Sequence, residues 1–278
     1  MSIRRTCHIR ASSRLARALA VASAILVAGA RPAHAQTSEF ERFSLSLGVF
    51  VTDRSSIVQL DGEIPGSGTP VDLEHDLGLD TSTSGFRVDG YLGFNERHRL
   101  DFSAFDLSRS ASKQIQTEIE WDGDTYPIDT VVATNFDLKI YKLAYTWSFL
   151  RKERNYFGLT AGLYIADIGT RLSAESIGAA SGDGLTAPLP VIGVRGRYDF
   201  TPRLSFRASA EVFAIDYDQY NGSLYDVYAA LDYRLGRHWG VGIGYNASKI
   251  DAGVAKDRFN GDLNWKYGGG LLFVKLDF

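Results

Sequence analysis

The chain is predicted to be all-β, folded as a transmembrane antiparallel up-and-down β-barrel of ten strands, with eight or twelve strands as alternatives. Three observations lead to this prediction. Segments that alternate apolar and polar residues recur along the chain, each close to the ~9 to 11 residues that a tilted strand needs to cross a bilayer. Long and short connections alternate between these segments. The last segment, residues 268–278, alternates in the same way and ends on an aromatic residue.

The closing segment shows the pattern clearly, because successive side chains of an extended strand point to opposite faces. One face carries Leu272, Val274, Leu276 and Phe278, and the other carries Lys275 and Asp277. The first face suits hydrocarbon and the second suits an enclosed polar interior.

The first 35 residues are predicted to be a secretory signal peptide, which leaves residues 36–278 as a single barrel domain. A basic front precedes a small and apolar run at residues 15–30, and Ala33-His34-Ala35 offers a cleavage site. A transmembrane anchor is the alternative, but the run is short and alanine-rich compared with the roughly 20 residues that span hydrocarbon.

The predicted signal peptide carries six arginines and no acid, so its removal lowers the formal net charge from −3 to −9. An acidic chain is a poor partner for nucleic acid. Cys7 is the only cysteine and lies in the same segment, which excludes a disulfide framework from the mature part. No later stretch is long and apolar enough for a membrane helix, which leaves a soluble all-β domain or a transmembrane barrel.

Ten segments are predicted to be strands, each with one apolar face. They are residues 43–52, 84–94, 99–109, 141–149, 157–165, 192–200, 204–212, 225–234, 240–245 and 268–278. The third blurs at Phe105 and Leu107, which indicates a bulge or the start of a hairpin outside the membrane. Residues 115–121 and 128–134 are two further short strands in the twelve-strand alternative.

The connections predict the orientation of the barrel. The long ones are residues 53–83, 110–137, 169–188, 216–222 and 251–261, and the short ones are 95–98, 150–154, 201–202 and 236–238. This asymmetry is typical of outer-membrane barrels, whose short turns face the periplasm and whose long loops face outside. A soluble ligand-binding barrel is the alternative, and it requires the reverse arrangement, with apolar faces inside.

The whole mature sequence resembles small bacterial outer-membrane β-barrel proteins of the broad OmpA/OmpW-like kind, and residues 71–80 are similar to a stretch of uncharacterised proteobacterial barrels. The resemblance implies an integral protein of the Gram-negative outer membrane. It also implies that Phe278 and its strand are read by periplasmic chaperones and the barrel assembly machinery. The peptidoglycan-binding domain of the two-domain OmpA pattern is not expected here.

The polar faces supply the candidate functional residues, because alternation directs them into a narrow lumen. They are Arg87, Asp89, Asp101, Arg195, Arg197, Arg207, Glu211, Asp232, Arg234, Lys275 and Asp277. Mixed charges in a lumen little wider than that of an eight-stranded barrel favour mutual ion pairing and a largely plugged interior. The alternative is a narrow channel for small solutes, lined by Arg195, Arg197 and Arg207 and selective for anions.

Residues 71–80 also offer a weak metal-site candidate. Asp72, Glu74 and Asp76 resemble the start of a calcium-binding EF-hand loop, but Gly78 comes one residue late and the later bidentate glutamate is missing. We therefore favour an acidic turn that covers the barrel mouth through Leu73, Leu77 and Leu79.

The expected role is non-enzymatic and cofactor-free: a structural or surface-presenting barrel whose acidic outer loops meet the environment or cations bound to lipopolysaccharide. Membrane lipid and lipopolysaccharide are the expected partners. An outer-membrane hydrolase is the least favoured alternative. His75 lies between two acids, but the sequence places no serine beside it, and His98 and His238 fall in the predicted periplasmic turns.

Overall fold

The structure is a computed structural model that describes residues 41–60, 69–121, 123–217, 220–256 and 259–278. The predicted signal peptide lies outside these residues. Thirteen strands are described: β1 (Phe43–Leu60), β2 (Val71–Asp72), β3 (Ser82–Gly93), β4 (His98–Gln114), β5 (Ile119–Trp121), β6 (Asp124–Tyr126), β7 (Val131–Lys152), β8 (Asn155–Ala174), β9 (Ala179–Asp199), β10 (Leu204–Tyr217), β11 (Tyr220–Arg234), β12 (Trp239–Lys256) and β13 (Phe259–Asp277). A short 3-10 helix, Glu175–Ile177, joins β8 to β9.

Ten of these strands form one closed antiparallel barrel, in the order β1, β3, β4 and then β7 to β13. The barrel closes because β1 pairs with β13 along its whole length, and the backbones of Phe43 and Phe278 exchange two hydrogen bonds of 2.9 and 2.8 Å. The prediction of ten strands is confirmed. The twelve-strand alternative is wrong, because Ile119–Trp121 forms a separate hairpin with β6, while Val131 begins a barrel strand.

The outer face of the barrel is apolar over a continuous band. Phe86, Ile192 and Leu272 leave 70%, 66% and 54% of their surface exposed. Other large apolar side chains on the outward faces of the strands are exposed as well. Exposure of so many large apolar side chains is costly in water and favourable in hydrocarbon. The prediction that the apolar faces point outward is confirmed, and the soluble barrel with an apolar lining is wrong.

The polarity of the two faces reverses where the strands leave this band. Along β7 the outward residues change from Leu143 and Tyr141 to Lys139 and Asp137, while the inward ones become Ile140 and Leu138. The same reversal explains Phe105 and Leu107 of β4, which are 6% and 1% exposed and point inward. Of the two interpretations of that point, the bulge is wrong, since β4 and β7 pair without interruption, and the start of a hairpin outside the membrane agrees with the continued strands. The register shift lies instead between Ser148 and Leu150, where β7 meets β8.

The two ends of the barrel differ in the way that the sequence predicts, although the long connections are mostly strand. We call the end with the short connections the turn end and the other the loop end. β8 and β9 remain paired as far as Ala174 and Ala179, and β10 and β11 as far as Tyr217 and Tyr220. The predicted loops at residues 169–188, 216–222 and 251–261 are therefore largely hairpin arms. Among the described residues, no helix has the length and apolar character needed to cross a membrane.

Candidate functional site

The lumen is the candidate site, and its half nearest the turn end is filled by ion pairs. The central group is built on Glu211, whose carboxylate pairs with Lys142 and lies 3.2 Å from the Arg195 guanidinium. Arg195 also faces Asp101 at 3.6 Å. Asp101 in turn accepts a hydrogen bond from Thr146 at 2.6 Å and lies 3.1 Å from Arg99. Strands β4, β7, β9 and β10 contribute to this network, so it connects one side of the barrel to the other.

A second group surrounds Arg87 of β3 and includes side chains of β11, β12 and β13. Its guanidinium lies 2.9 Å from Asp89 and donates a hydrogen bond of 2.5 Å to the amide oxygen of Asn246. Asn246 donates to Asp226 at 3.0 Å and accepts from the Tyr267 hydroxyl at 2.9 Å. The buried polar atoms are thereby supplied with partners from neighbouring strands, as burial requires.

A third group lies at the turn-end mouth and contains Glu41, which precedes β1. Its carboxylate pairs with Arg234 and with Arg197 at 3.1 Å, and Arg197 lies 2.8 Å from Asp199. Burial raises the pKa of Glu41, but the charges of Arg197, Lys275 and Arg234 outweigh it and lower that pKa to about 2. Glu41 is therefore held as a carboxylate.

Two further pairs complete the polar half: Arg207 with Asp232 at 2.5 Å, and Lys275 with Asp277 at 3.0 Å. Two cavities remain among these side chains, of about 40 and 20 Å³. A buried water needs roughly 10 to 15 Å³ of such space. These two cavities are therefore large enough only for isolated waters.

The half of the lumen nearest the loop end is mostly apolar, although it also encloses Arg54 and the Arg109–Glu74 ion pair. The rings of Phe50, Phe105 and Tyr267 meet edge to face with centroids 5.7 to 5.8 Å apart. The Arg87 guanidinium stacks on Phe50 and Phe105 at 5.5 and 5.2 Å from their centroids, which places a cation–π contact where the polar and apolar halves join. Sequence reasoning did not predict this apolar half.

Two segments cover the apolar half at the loop end. The first is residues 71–79, whose Leu73 and Leu77 are fully buried. The second is the hairpin of β5 and β6, which buries Trp121 and Tyr126 completely. A backbone hydrogen bond of 3.1 Å from Thr69 to Glu120 joins the two. The prediction that leucines of residues 71–80 pack over the barrel mouth is confirmed.

The three acids of residues 71–80 that resemble a metal site, Asp72, Glu74 and Asp76, point in different directions. Asp72 accepts hydrogen bonds from the backbone N–H groups of Glu74 and His75, and Asp76 accepts one from that of Asp72. Glu74 faces the barrel, 2.5 Å from Arg109. In the part of the chain that the structure describes, no set of three or more histidine, cysteine, aspartate or glutamate side chains is arranged to hold a metal ion.

All eleven predicted lumen residues face the interior, and each belongs to a described ion pair. Sequence reasoning missed Lys142, Asp226 and Asn246, although each lies on the polar face of a predicted strand or one residue beyond it. Glu41 precedes the first alternating segment, so no periodic signal marks it. Phe278, the predicted assembly signal, stacks on His238 with ring centroids 5.4 Å apart.

No family model matches this chain, and no curated protein matches it in sequence. Solved structures do match its fold. The outer membrane protease OmpT from Escherichia coli has 11% sequence identity and a TM-score of 0.52, and the match covers 87% of this chain and all of OmpT.

Two matches are looser. Ail, the attachment invasion locus protein of Yersinia pestis, has 12% identity and a TM-score of 0.38 over 85% of this chain and 99% of its own. The toluene transporter TodX of Pseudomonas putida has 7% identity and a TM-score of 0.36 over 86% and 91%.

The closed antiparallel barrel, its apolar outer band and the OmpT likeness define the fold as that of the bacterial outer-membrane β-barrels. Within that class, this chain is a ten-stranded barrel with an ion-paired half and an apolar half in its lumen. The designation OmpA/OmpW-like is only approximate, because these solved structures are other barrels.

Proposed function

We propose that this protein is a non-conducting barrel of the Gram-negative outer membrane with a structural or surface-presenting role. The filled lumen carries the proposal. A permeating ion would have to separate buried pairs such as Lys142–Glu211 and then cross an apolar layer, and both steps are costly in a medium of low dielectric constant.

We place the turn end in the periplasm and the loop end outside. Both ends of the barrel chain, at Phe43 and Phe278, lie at the turn end, as they do when a barrel is inserted from the periplasm. Assembly factors that act there would read Phe278 on the closing strand. Lipid and lipopolysaccharide are the partners that the apolar band and the polar wall beyond it would meet.

We also propose that the protein is not an enzyme. His75 lies 2.8 Å from Asp76, but its side chain is 86% exposed. A histidine that acts as a base in acyl transfer needs a positioned nucleophile and a site that excludes water. Loss of a hydrolytic activity in a His75→Ala variant would contradict this part of the proposal.

Conductance measurements test the main proposal. The mature protein is reconstituted in planar bilayers at known density, and a general porin reconstituted in the same way is the positive control. We expect no single-channel steps and no solute-driven swelling of loaded vesicles. Reproducible steps, with an anion preference that falls in Arg207→Ala, would instead establish the narrow channel.

A further inference from the structure

The outer wall of the barrel carries a polar groove just beyond the apolar band, on strands β4, β7, β8 and β9. Strand pairing arranges its surroundings in rows across the wall. The last apolar row is Ala104, Tyr141, Ile165 and Pro188, and the first polar row beyond it is Asp106, Lys139, Asp167 and Thr186. The third row is Ser108, Asp137, Gly169 and Gly184. The fourth row is Ser110, Asn135, Arg171 and Gly182. The groove occupies the last two rows and has a volume of about 620 Å³.

The space in the groove is not required by backbone packing. A Cβ atom added at Gly169 would meet only the Cβ of Asp137, at 4.0 Å, and one added at Gly184 would meet only the Ile168 carbonyl oxygen, at 3.5 Å. Neither glycine has a left-handed φ. Ordinary side chains would therefore fit at both positions, and it is their absence that leaves the wall concave.

The polar groups around this space are available to a ligand. Asn135, Asp137 and Arg171 are exposed, and among the described residues none of the three has a side-chain hydrogen bond or ion pair. Together with the hydroxyl of Ser110 they offer an amide, a carboxylate and a guanidinium on adjacent strands. This set donates and accepts hydrogen bonds in comparable number, so it suits vicinal hydroxyl groups better than a phosphate, which Asp137 would repel.

The height of the groove points to the same class of ligand. Two residues of a tilted strand advance ~5 Å along the membrane normal. On β7 the groove thus begins at Asp137, ~10 Å beyond Tyr141 along the membrane normal, whereas the polar headgroup layer of a phospholipid is only about 5 to 7 Å deep. On the same strand Lys139 lies at phosphate height, and the groove lies beyond it.

We propose that this groove binds a saccharide unit of a glycolipid in the surrounding outer leaflet. This inference rests on the proposed outer-membrane location with the loop end outside. A sugar lying in the groove would accept hydrogen bonds from the Asn135 amide and the Arg171 guanidinium and donate hydrogen bonds to the Asp137 carboxylate, while the acyl chains of the glycolipid remain against the apolar band.

The test uses the full mature protein in detergent micelles and two probes: a delipidated, dephosphorylated lipopolysaccharide core oligosaccharide, and bisphosphorylated lipid A without core sugars. Saturation-transfer NMR and calorimetry measure binding. We expect the oligosaccharide to bind with little dependence on salt. Asp137→Ala and Arg171→Ala should each weaken it about tenfold, the usual loss for a hydrogen bond to a charged group.

A groove-filling variant, Gly169→Tyr, should abolish oligosaccharide binding. Gly270→Tyr is the matched control, because a Cβ at Gly270 meets nothing within 4 Å and this glycine lies on β13, away from the groove. Each variant is checked for folding by its heat-modified mobility in gels.

No oligosaccharide binding by the wild type, undiminished binding by Gly169→Tyr, or binding of lipid A alone would each overturn the inference. If the barrel still fractionates with the outer membrane and stays silent in bilayers, only the groove assignment fails. A barrel absent from that membrane contradicts the proposed function as well.

Discussion

Removing the Glu211 carboxylate should strongly destabilise the barrel, because it leaves a cation without its partner inside the lumen. The Glu211 side chain has no exposed surface and pairs with Lys142, which is itself 9% exposed. In a Glu211→Leu variant Arg195 keeps Asp101 at 3.6 Å, but Lys142 loses its described ion pair. Breaking one side of a buried pair costs about 3 to 5 kcal/mol, and we expect the free energy of unfolding to fall by that amount.

Urea unfolding in lipid vesicles measures this change through tryptophan fluorescence, since Trp147 and Trp239 lie on the outer face with 43% and 47% of their surface exposed. Lys142→Met combined with Glu211→Leu removes both charges and should recover stability to within about 1 kcal/mol of the wild type. Glu96→Gln is the surface control. Glu96 lies 3.6 Å from Arg151 with 72% of its side chain exposed, and its loss should cost less than about 0.5 kcal/mol.

A free energy of unfolding of Glu211→Leu within about 1 kcal/mol of the wild type would refute a dry, ion-paired lumen, because a broken buried pair costs about 3 to 5 kcal/mol. A double variant as unstable as the single one would also contradict the prediction. The first result would mean that water reaches Lys142 and that the lumen is wetter than its packing indicates. The second would mean that the loss of stability does not come from the unpaired charge of Lys142.

Three further predictions concern other parts of the barrel. The pKa of Glu41 is about 2 in the folded barrel and near 4.5 in the unfolded chain. Its contribution to the free energy of unfolding is therefore complete above pH 4.5 and is lost as the pH falls toward 2, by up to about 3 kcal/mol. Unfolding curves of Glu41→Gln should lack that pH dependence. Deleting Phe278 should lower the amount of barrel recovered in the outer-membrane fraction, since its backbone hydrogen bonds to Phe43 are lost. The Phe278→Tyr variant keeps an aromatic terminus and should insert normally. Equal loss in both variants would contradict an aromatic signal. Gly193→Ala should reduce the yield of folded barrel, because its Cβ would clash with the Ala210 carbonyl oxygen. Gly270→Ala is the control and should fold like the wild type, because the space around its Cβ is open. A heat-modifiability assay in gels measures the folded fraction of both.

Alternation with a period of two, together with the alternating long and short connections and the aromatic terminus, was sufficient to predict the membrane barrel, because each strand must direct alternate residues to lipid and to lumen. The same rule predicts the inward direction of residues such as Arg87, Glu211 and Asp232, since a strand cannot rotate one side chain without rotating all. Residues 71–80 could likewise be recognised as a cover for the mouth, because leucines such as Leu73 and Leu77 recur among acids in a segment too short to span the membrane.

The strand boundaries at the loop end could not be read in the same way. The pattern at Phe105 and Leu107 inverts where β4 leaves the hydrocarbon, and an inverted alternation looks like a bulge when the height of the membrane is unknown. Only the pairing of β4 with β7 shows that the strand continues and that a second, apolar interior begins there.

What the sequence determined by itself is therefore the class of fold, the strand number and which side chains are enclosed, since these follow from local periodicity. What only the tertiary structure decided is which charges meet, where the lumen turns apolar and that a groove forms on the wall at Gly169. Those features join residues far apart in the chain, such as Glu41 and Arg234, and depend on how far each strand is displaced along its neighbour. A single chain carries no local signal of that displacement, because every shift by two residues preserves the same alternation.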